Sequence, residues 1–204
     1  MQLGSEFKIL SILVITIIAI TFIALTSVSA SGGEGVHENI ITNEIMQYLK
    51  NKKVRASDEK LKKIAMSVYE EAKDNEIDYR LVLAVMKVES NFRSDAISKK
   101  GARGLLQIKP SLAKYVSKEM GVSIKSPKCL DEPEKNIRIG VSHLSWLIEK
   151  FENLNAALHA YNVGIGKAKK VASEDDGPDT RFTRKVLAEY HLIKNALPHS
   201  HPEQ

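Results

Sequence analysis

Glu89 is the acidic residue whose place in the sequence best suits acid catalysis. It follows residues 81–88, LVLAVMKV, in which Lys87 is the one charged side chain. A carboxyl group held against apolar walls resists ionisation, so its pKa should be raised. A carboxyl that stays protonated near neutral pH can donate a proton to a poor oxygen leaving group. From position alone, a helix-terminal glutamate that turns out to solvent explains the pattern equally well.

A second segment combines glycines with a polar side chain among apolar ones. Residues 101–108 read GARGLLQI, with Gly101 and Gly104 three positions apart. This spacing predicts a backbone that passes close to another segment or to a ligand. Gln107 lies between apolar neighbours and needs polar partners in the interior or in a cleft. Taken alone, the segment is more often a tight turn than a site.

A third segment, residues 160–164, reads AYNVG and follows a run of small residues. Gly164 is a helix stop signal. Tyr161 and Asn162 would then project at a helix end, where a planar ring and an amide can meet a ligand. On its own, the segment is better explained as a helix cap with a packed tyrosine.

Metal-dependent and nucleophilic chemistry find little support in the sequence. The six histidines show no ligand spacing except His199 and His201, which lie in a polar tail. A Gly-x-Ser-x-Gly elbow and a phosphate-binding loop are both absent from the sequence. Cys129 is the single cysteine, which excludes an internal disulfide, and a lone cysteine is most often buried. We expect no metal and no cofactor.

The elements that carry these residues are predicted to be helices. Apolar residues recur at spacings of three and four in residues 58–74, and residues 79–90, capped by Asp78, form a helix that is apolar on nearly all sides. Alternation with a period of two is absent from the sequence. The prediction is an all-α fold, with further helices over residues 111–120, 133–151, 153–161 and 180–195.

The N-terminus is predicted to direct export. Residues 9–28 are apolar apart from serine and threonine, and residues 28–30, Val-Ser-Ala, resemble a signal-peptide cleavage site. The length of the apolar run favours an uncleaved membrane anchor, whereas the cleavage pattern favours a signal peptide. Either alternative places the remainder of the chain outside the cytoplasm, in the periplasm or cell envelope.

The rest of the chain divides into three further parts. Residues 31–57 are predicted to be a linker and a short leading helix, residues 58–195 the compact domain, and residues 196–204 a polar tail. The net charge of +5 suits an anionic envelope polymer or a membrane surface as partner. Nucleic acid is not expected as a partner outside the cytoplasm, and we expect a monomer.

Read together, these segments resemble the soluble lytic transglycosylase catalytic domain, which is related to goose-type lysozyme. The resemblance covers about residues 60–190, in the family's order and spacing. It includes residues 131–140, which begin Asp131-Glu-Pro133 and contain Asn136 and Gly140. The other matching positions are Glu89-Ser90, Phe92, Ala96, Ser98, Gly101-Ala102, Gly104-Leu105, Gln107, Ala160-Tyr161-Asn162 and Gly164.

This resemblance implies a lysozyme-like fold and cleavage of the β-1,4 bond between N-acetylmuramic acid and N-acetylglucosamine in peptidoglycan. It implies that Glu89 acts first as acid and then as base, which leaves a 1,6-anhydromuramic acid end without water. It also implies that Ser90 orients Glu89 or contacts the sugar, that Gln107 lines the cleft, and that Tyr161 and Asn162 hold the substrate.

The chain departs from the family at a supporting position near the last helix. The family usually carries a tyrosine near the start of the last helix that bonds toward the catalytic acid, and here the nearest aromatic residue is Phe182, which lacks the hydroxyl. Tyr190 is another candidate. Gly104 is expected to support the loop. Two alternative functions stay open: a lysozyme-type muramidase with a second acid, and a non-catalytic glycan-binding envelope protein.

Overall fold

The computed structural model of the protein describes residues 35–168 and 178–199. Contacts divide the chain into residues 1–40 and residues 41–204. Residues 35–40 of the first unit are helical. The predicted signal peptide or membrane anchor, residues 1–30 with the apolar run 9–28, lies outside the described residues. Among the helices that are described, none is both long enough and apolar enough to cross a membrane.

The second unit is built from helices, as predicted. Its described residues contain no β-strand. Two isolated antiparallel β-bridges pair Ile97 with Arg103 and Arg103 with Ile108. A short 3-10 helix, Pro127–Asp131, precedes α5. The α-helices are α1 (41–51), α2 (Asp58–Asp74), α3 (Tyr79–Ser90), α4 (Pro110–Glu119), α5 (Pro133–Phe151), α6 (Leu154–Val163), α7 (Ile165–Ala168) and α8 (Arg181–Ala196).

Local capping residues explain where most of these helices begin. The side chains of Ser57, Asp78 and Asn153 each accept a hydrogen bond from a backbone N–H in the first turn of α2, α3 and α6. Thr180 and Thr183 cap α8 reciprocally. Because a proline at the first helical position loses no intrahelical hydrogen bond, α4 and α5 begin at Pro110 and Pro133.

Helix α3 is the centre of the hydrophobic core. Residues 82–86 are fully buried, and α8 packs along α3. The core also takes in α1 through Ile41, Ile45 and Leu49, which are each at most 1% exposed, so the leading helix packs within the compact unit. Cys129 is partly exposed in the 3-10 helix, rather than buried as expected.

A charged network fixes the N-terminal end of α3 to α8 and to the chain that follows it. Asp78 receives three hydrogen bonds from the Arg80 guanidinium, at 2.7 to 3.1 Å, and one from the Tyr190 hydroxyl at 2.8 Å. Burial opposes ionisation of Asp78, but the hydrogen bonds from Arg80 outweigh it and lower the pKa of this carboxyl. Leu197, in the predicted tail, is buried and accepts a hydrogen bond from Arg80. The network holds α3 in place at the end opposite Glu89.

Candidate active site

A cleft of about 440 Å³ opens beside the C-terminal end of α3. It brings together four of the residues that the sequence predicts for the site. The lining comes from α3, from the loop between α3 and α4, from the start of α4, from α5, and from the end of α6 with α7. The predicted residues among the lining are Glu89, Gln107, Tyr161 and Asn162.

Glu89 lies half-buried in the last turn of α3, at the edge of the apolar core. Loss of hydration raises the pKa of its carboxyl to about 7, compared with an ordinary value of 4.5. No hydrogen bond or ion pair to this carboxyl comes from the described part of the chain, so nothing there offsets the effect of burial. A substantial fraction of Glu89 therefore stays protonated near neutral pH, which is the state that a general acid requires.

The backbone turns sharply directly after Glu89. Asn91 and Phe92 adopt left-handed conformations, with φ of 52° and 62°, so α3 ends within two residues of the carboxyl. The Phe92 side chain is buried at 3% exposure and forms an edge-to-face contact with Tyr48 of α1. Two consecutive non-glycine residues with positive φ are uncommon and persist where packing holds them. The turn leaves Glu89 at the cleft wall while the chain continues into the loop.

Tyr161 lines the cleft from the last turn of α6. Its hydroxyl donates a hydrogen bond to the carbonyl oxygen of Leu106 at 2.8 Å. Burial, with a smaller contribution from the negative charge of Glu89, raises the pKa of this hydroxyl well above its usual value. The hydroxyl is therefore a fixed donor to the loop, and the ring is the part of Tyr161 that faces a ligand. Asn162 beside it is exposed in the cleft.

Gln107 is held in the cleft by its own loop. Its backbone has a positive φ of 48°. The side-chain Nε2 donates to the carbonyl oxygens of Ala96 at 3.1 Å and Gly104 at 2.9 Å. Both amide hydrogens are thereby used, which leaves Oε1 to accept a hydrogen bond from a ligand N–H or O–H.

Asn136 of α5 supports this loop from behind and has no exposed surface. Its Nδ2 donates to the carbonyl oxygens of Arg103 and Leu130, both at 2.9 Å, and its Oδ1 accepts from the backbone N–H of Leu106 at 2.8 Å. Gly104 is buried against this amide with a φ of 79°, and a Cβ there would overlap Asn136 and the Leu130 carbonyl. A glycine is therefore required at position 104 because Asn136 and the Leu130 carbonyl lie against it. Gly104 affects the site only by shaping the loop that carries Gln107.

Three residues that the sequence suggests for the site do not line the cleft. The Ser90 hydroxyl is buried and donates to the Met86 carbonyl oxygen within α3, at 3.1 Å. Phe182 is half-buried and packs against the main core. Tyr190 bonds to Asp78, at the other end of α3 from Glu89. The suggested roles of Ser90 and Phe182 beside Glu89 stay predictions.

The cleft also contains residues for which the sequence predicts no role. Lys100, Lys109 and Lys167 are exposed and line it, and Glu89 is the one carboxylate among the described lining residues. Nothing in the sequence around these three lysines distinguishes them from other surface lysines. His143 lines the cleft from α5, and burial lowers its pKa to about 4, so the ring is neutral at neutral pH.

A larger cavity, about 500 Å³, lies at the turn between α2 and α3. Its acidic residues are Glu76 and Asp78, and the Asp78 carboxylate is committed to Arg80 and Tyr190. Because the pKa of Asp78 is lowered, this carboxyl is ionised at neutral pH and cannot serve as a general acid. The chemistry therefore points to the smaller cleft with Glu89.

Comparison with known proteins agrees with the all-α fold and identifies a family. The family described as Transglycosylase SLT domain matches residues 66–182. Membrane-bound lytic murein transglycosylase F of Haemophilus influenzae is 37% identical over 98 residues, which are 45% of this chain and 18% of that protein. Membrane-bound lytic murein transglycosylase C of Edwardsiella ictaluri is 32% identical over 138 residues, 62% of this chain and 37% of that protein. The chain thus matches only a minor part of the length of these relatives.

Two solved structures share the fold. The lytic transglycosylase Slt of Pseudomonas aeruginosa, in an inactive mutant, has a TM-score of 0.56 and 28% identity, over 67% of this chain and 25% of that chain. The 70 kDa soluble lytic transglycosylase of Escherichia coli has a TM-score of 0.57 and 23% identity, over 74% of this chain and 29% of that chain. At this identity the second likeness shows the fold alone.

Proposed function

This chain belongs to the Transglycosylase SLT domain family, and from that membership we propose that it is a peptidoglycan lytic transglycosylase. The proposed reaction cleaves the β-1,4 bond between N-acetylmuramic acid and N-acetylglucosamine and leaves a 1,6-anhydromuramic acid end. The observation that carries the proposal is the half-buried Glu89 carboxyl, with a pKa of about 7, in a cleft with Gln107 and Tyr161. The relatives' names and the inactive Glu-to-Gln mutant of the Pseudomonas protein support it.

In the proposed first step, protonated Glu89 donates its proton to the oxygen of the glycosidic bond. The bond from this oxygen to C1 of the muramic acid breaks, and the sugar on the other side leaves as a neutral alcohol. The raised pKa of Glu89 suits this step, because the acid form is populated at neutral pH and transfers its proton readily.

In the second step, the ionised Glu89 accepts the proton of the muramic acid 6-hydroxyl while that oxygen forms a bond to C1. Glu89 returns to its protonated form, and no water is consumed. A two-carboxylate glycosidase uses a second acidic side chain as nucleophile or to activate water. The described part of the cleft offers Glu89 alone, which suits the single-residue mechanism.

The neighbouring residues would position the sugar. Gln107 Oε1 is oriented to accept a hydrogen bond from an N–H or O–H of the substrate, since its Nε2 is held by Ala96 and Gly104. The ring of Tyr161 and the exposed amide of Asn162 would contact the sugar beside the bond that breaks. Fixed groups of this kind lower the entropy cost of reaching the reactive geometry.

The products formed in heavy-oxygen water test the reaction class. The purified protein is incubated with peptidoglycan in water enriched in oxygen-18, and the soluble fragments are analysed by mass spectrometry. We expect fragments lighter by one water than hydrolysis products, without the heavy isotope. Fragments with a reducing end that contains the heavy oxygen would identify a muramidase and refute the transglycosylase. Binding without release of any fragment would instead support the non-catalytic alternative.

The pH dependence of activity is a second expectation. Glu89 must be protonated in the free enzyme, so kcat/KM should be constant below pH 7 and fall about tenfold per pH unit well above it. The profile is measured on soluble glycan strands, with Asp95→Asn as the control because Asp95 is an exposed loop acid with no assigned role. A decline that begins near pH 4.5, the ordinary glutamate value, would contradict the assignment of Glu89.

The cellular setting is part of the proposal. We expect residues 9–28 to export the protein, with residues 58–195 as the catalytic domain acting in the periplasm or cell envelope. The two relatives compared above are named membrane-bound, which supports an envelope location. A fusion of residues 1–57 to a reporter that is active only outside the cytoplasm tests the export.

A further inference from the structure

A row of three aromatic rings leads from the catalytic cleft to the surface of α5. The ring centroids of Tyr161 and His143 are 5.8 Å apart, and those of His143 and Trp146 are 6.0 Å apart with the planes within 18° of parallel. Burial keeps the pKa of His143 at about 4, so the middle ring is neutral at neutral pH. The row is therefore a continuous, uncharged aromatic surface.

A second hollow, of about 270 Å³, lies at the outer end of this row between α4 and α5. It adjoins the cleft, because Leu112, His143 and Ile165 line both. Tyr115 and Trp146 also line it. A strand bound beside Glu89 would have this hollow as its neighbour on the side of α4 and α5.

The two outer rings are unusually exposed for their size. Tyr115 is 67% exposed and Trp146 43% exposed. Exposed aromatic side chains grouped at a concave surface are typical of ligand sites. The Trp146 ring is stacked with His143, and the Lys150 ammonium, one turn along α5, lies 4.9 Å from its centroid, so the ring has neighbours that favour one orientation. An oriented ring is ready for a ligand without first losing conformational freedom.

The chemistry of the hollow fits a pyranose ring. Sugar rings present C–H groups on their faces and hydroxyls at their edges, so they pack on aromatic rings that have polar groups nearby. The hydroxyls of Ser142 and Tyr115 supply hydrogen-bonding groups at this surface. An apolar peptide would leave these hydroxyls without a role, and the residues shared with the cleft favour the substrate strand itself.

We propose that Trp146 and Tyr115 form a saccharide-binding subsite that holds the glycan strand beyond the sugars at Glu89. This inference rests on the proposed function, since it takes the glycan as the ligand of the cleft. The subsite would bind substrate and transition state equally and would act on affinity for the strand, not on the chemical step.

The fluorescence of Trp146 reports on this subsite directly, because it is the single tryptophan of the chain. A soluble hexamer of β-1,4-linked N-acetylglucosamine is titrated into the Glu89→Gln protein, in which the sugar is not cleaved. We expect a saturable change in emission, with a dissociation constant about fivefold higher in the Tyr115→Ala background. No change at saturation of the cleft, as judged by calorimetry, would overturn the subsite. A change that follows protein concentration without sugar would indicate a second copy as the occupant and would also overturn it.

Steady-state kinetics of variants that retain Glu89 are the second test of the subsite. Trp146→Ala should raise KM for soluble glycan strands about fivefold with kcat unchanged, and Trp146→Phe should restore most of the affinity. Leu192→Ala, which removes a 58% exposed apolar side chain from α8, is the matched control and should change neither constant. An unchanged KM in Trp146→Ala would overturn the subsite while the proposed function stands. If the wild type forms no anhydro product, the proposed function fails, and the fluorescence titration still decides the subsite.

Discussion

Glu89→Gln should reduce the release of anhydro-ended fragments by about 10³-fold or more while it leaves the fold intact. The amide has nearly the same shape as the carboxyl but can neither donate a proton to the leaving oxygen nor accept one from the 6-hydroxyl. Loss of one general acid or base typically costs about 10² to 10⁴ in rate, and here a single residue has both roles. Fragments quantified by mass spectrometry after timed digestion measure the effect.

The same substitution should stabilise the protein at high pH. The pKa of Glu89 is raised from 4.5 to about 7 on folding, so the native state holds more protons than the unfolded state between these values. Stability therefore falls as pH rises through this window, and the full cost is present above pH 7. We expect Glu89→Gln to unfold at the same temperature as wild type at pH 4. At pH 8 we expect it to be more stable by about 1–2 kcal/mol, a value reduced from the full shift because the carboxyl is partly open to solvent.

This pair of results separates a catalytic acid from a structural one. A structural glutamate would lose stability when it is changed to glutamine, whereas a catalytic acid held in an unfavourable site should gain it. Asp95→Asn is the control for both measurements and should change neither activity nor the unfolding temperature, because Asp95 is exposed. Full activity in Glu89→Gln would refute the assignment of the site.

The helices could be predicted because their boundaries are local in the sequence. Asp78 caps the helix that it was expected to cap, and Gly164, the expected stop signal, ends α6 with a positive φ of 88°. Only hydrogen bonds and backbone conformations within a few residues decide such boundaries. The predicted start of α4 at Ser111 was one residue late, because Pro110 occupies the first helical position.

The site could be predicted only in part, since its geometry depends on contacts between distant segments. Glu89, Gln107 and Tyr161 meet in one cleft because Tyr161 bonds across 55 positions to Leu106. The partner of Tyr190 is Asp78, 112 positions away, and nothing near either residue in the sequence indicates the pair. The stacking of His143 on Trp146 could have been predicted from the sequence, because residues three apart on a helix lie on the same face.

Gly104→Ala should destabilise the fold by about 4 kcal/mol or more, far beyond the effect of Gly101→Ala. Both glycines have a similar positive φ, 79° and 76°, so alanine at either position carries the same backbone penalty of about 1–2 kcal/mol. The surroundings differ. A Cβ at Gly101 would have no neighbour within 4 Å, whereas one at Gly104 would overlap Asn136 and the Leu130 carbonyl.

Asn136 cannot move aside to admit the methyl group, because each of its polar atoms is already engaged. It holds the Arg103 and Leu130 carbonyls and the Leu106 N–H, and displacing it would leave these buried groups without partners, at about 1–3 kcal/mol each. The free energy of unfolding in urea, measured for both variants, isolates the steric part as the difference between them. The Gly104 variant should also lose activity, because its loop carries Gln107. Equal destabilisation by the two substitutions would mean that the Asn136 side chain moves aside, and that the loop is not held rigidly against α5.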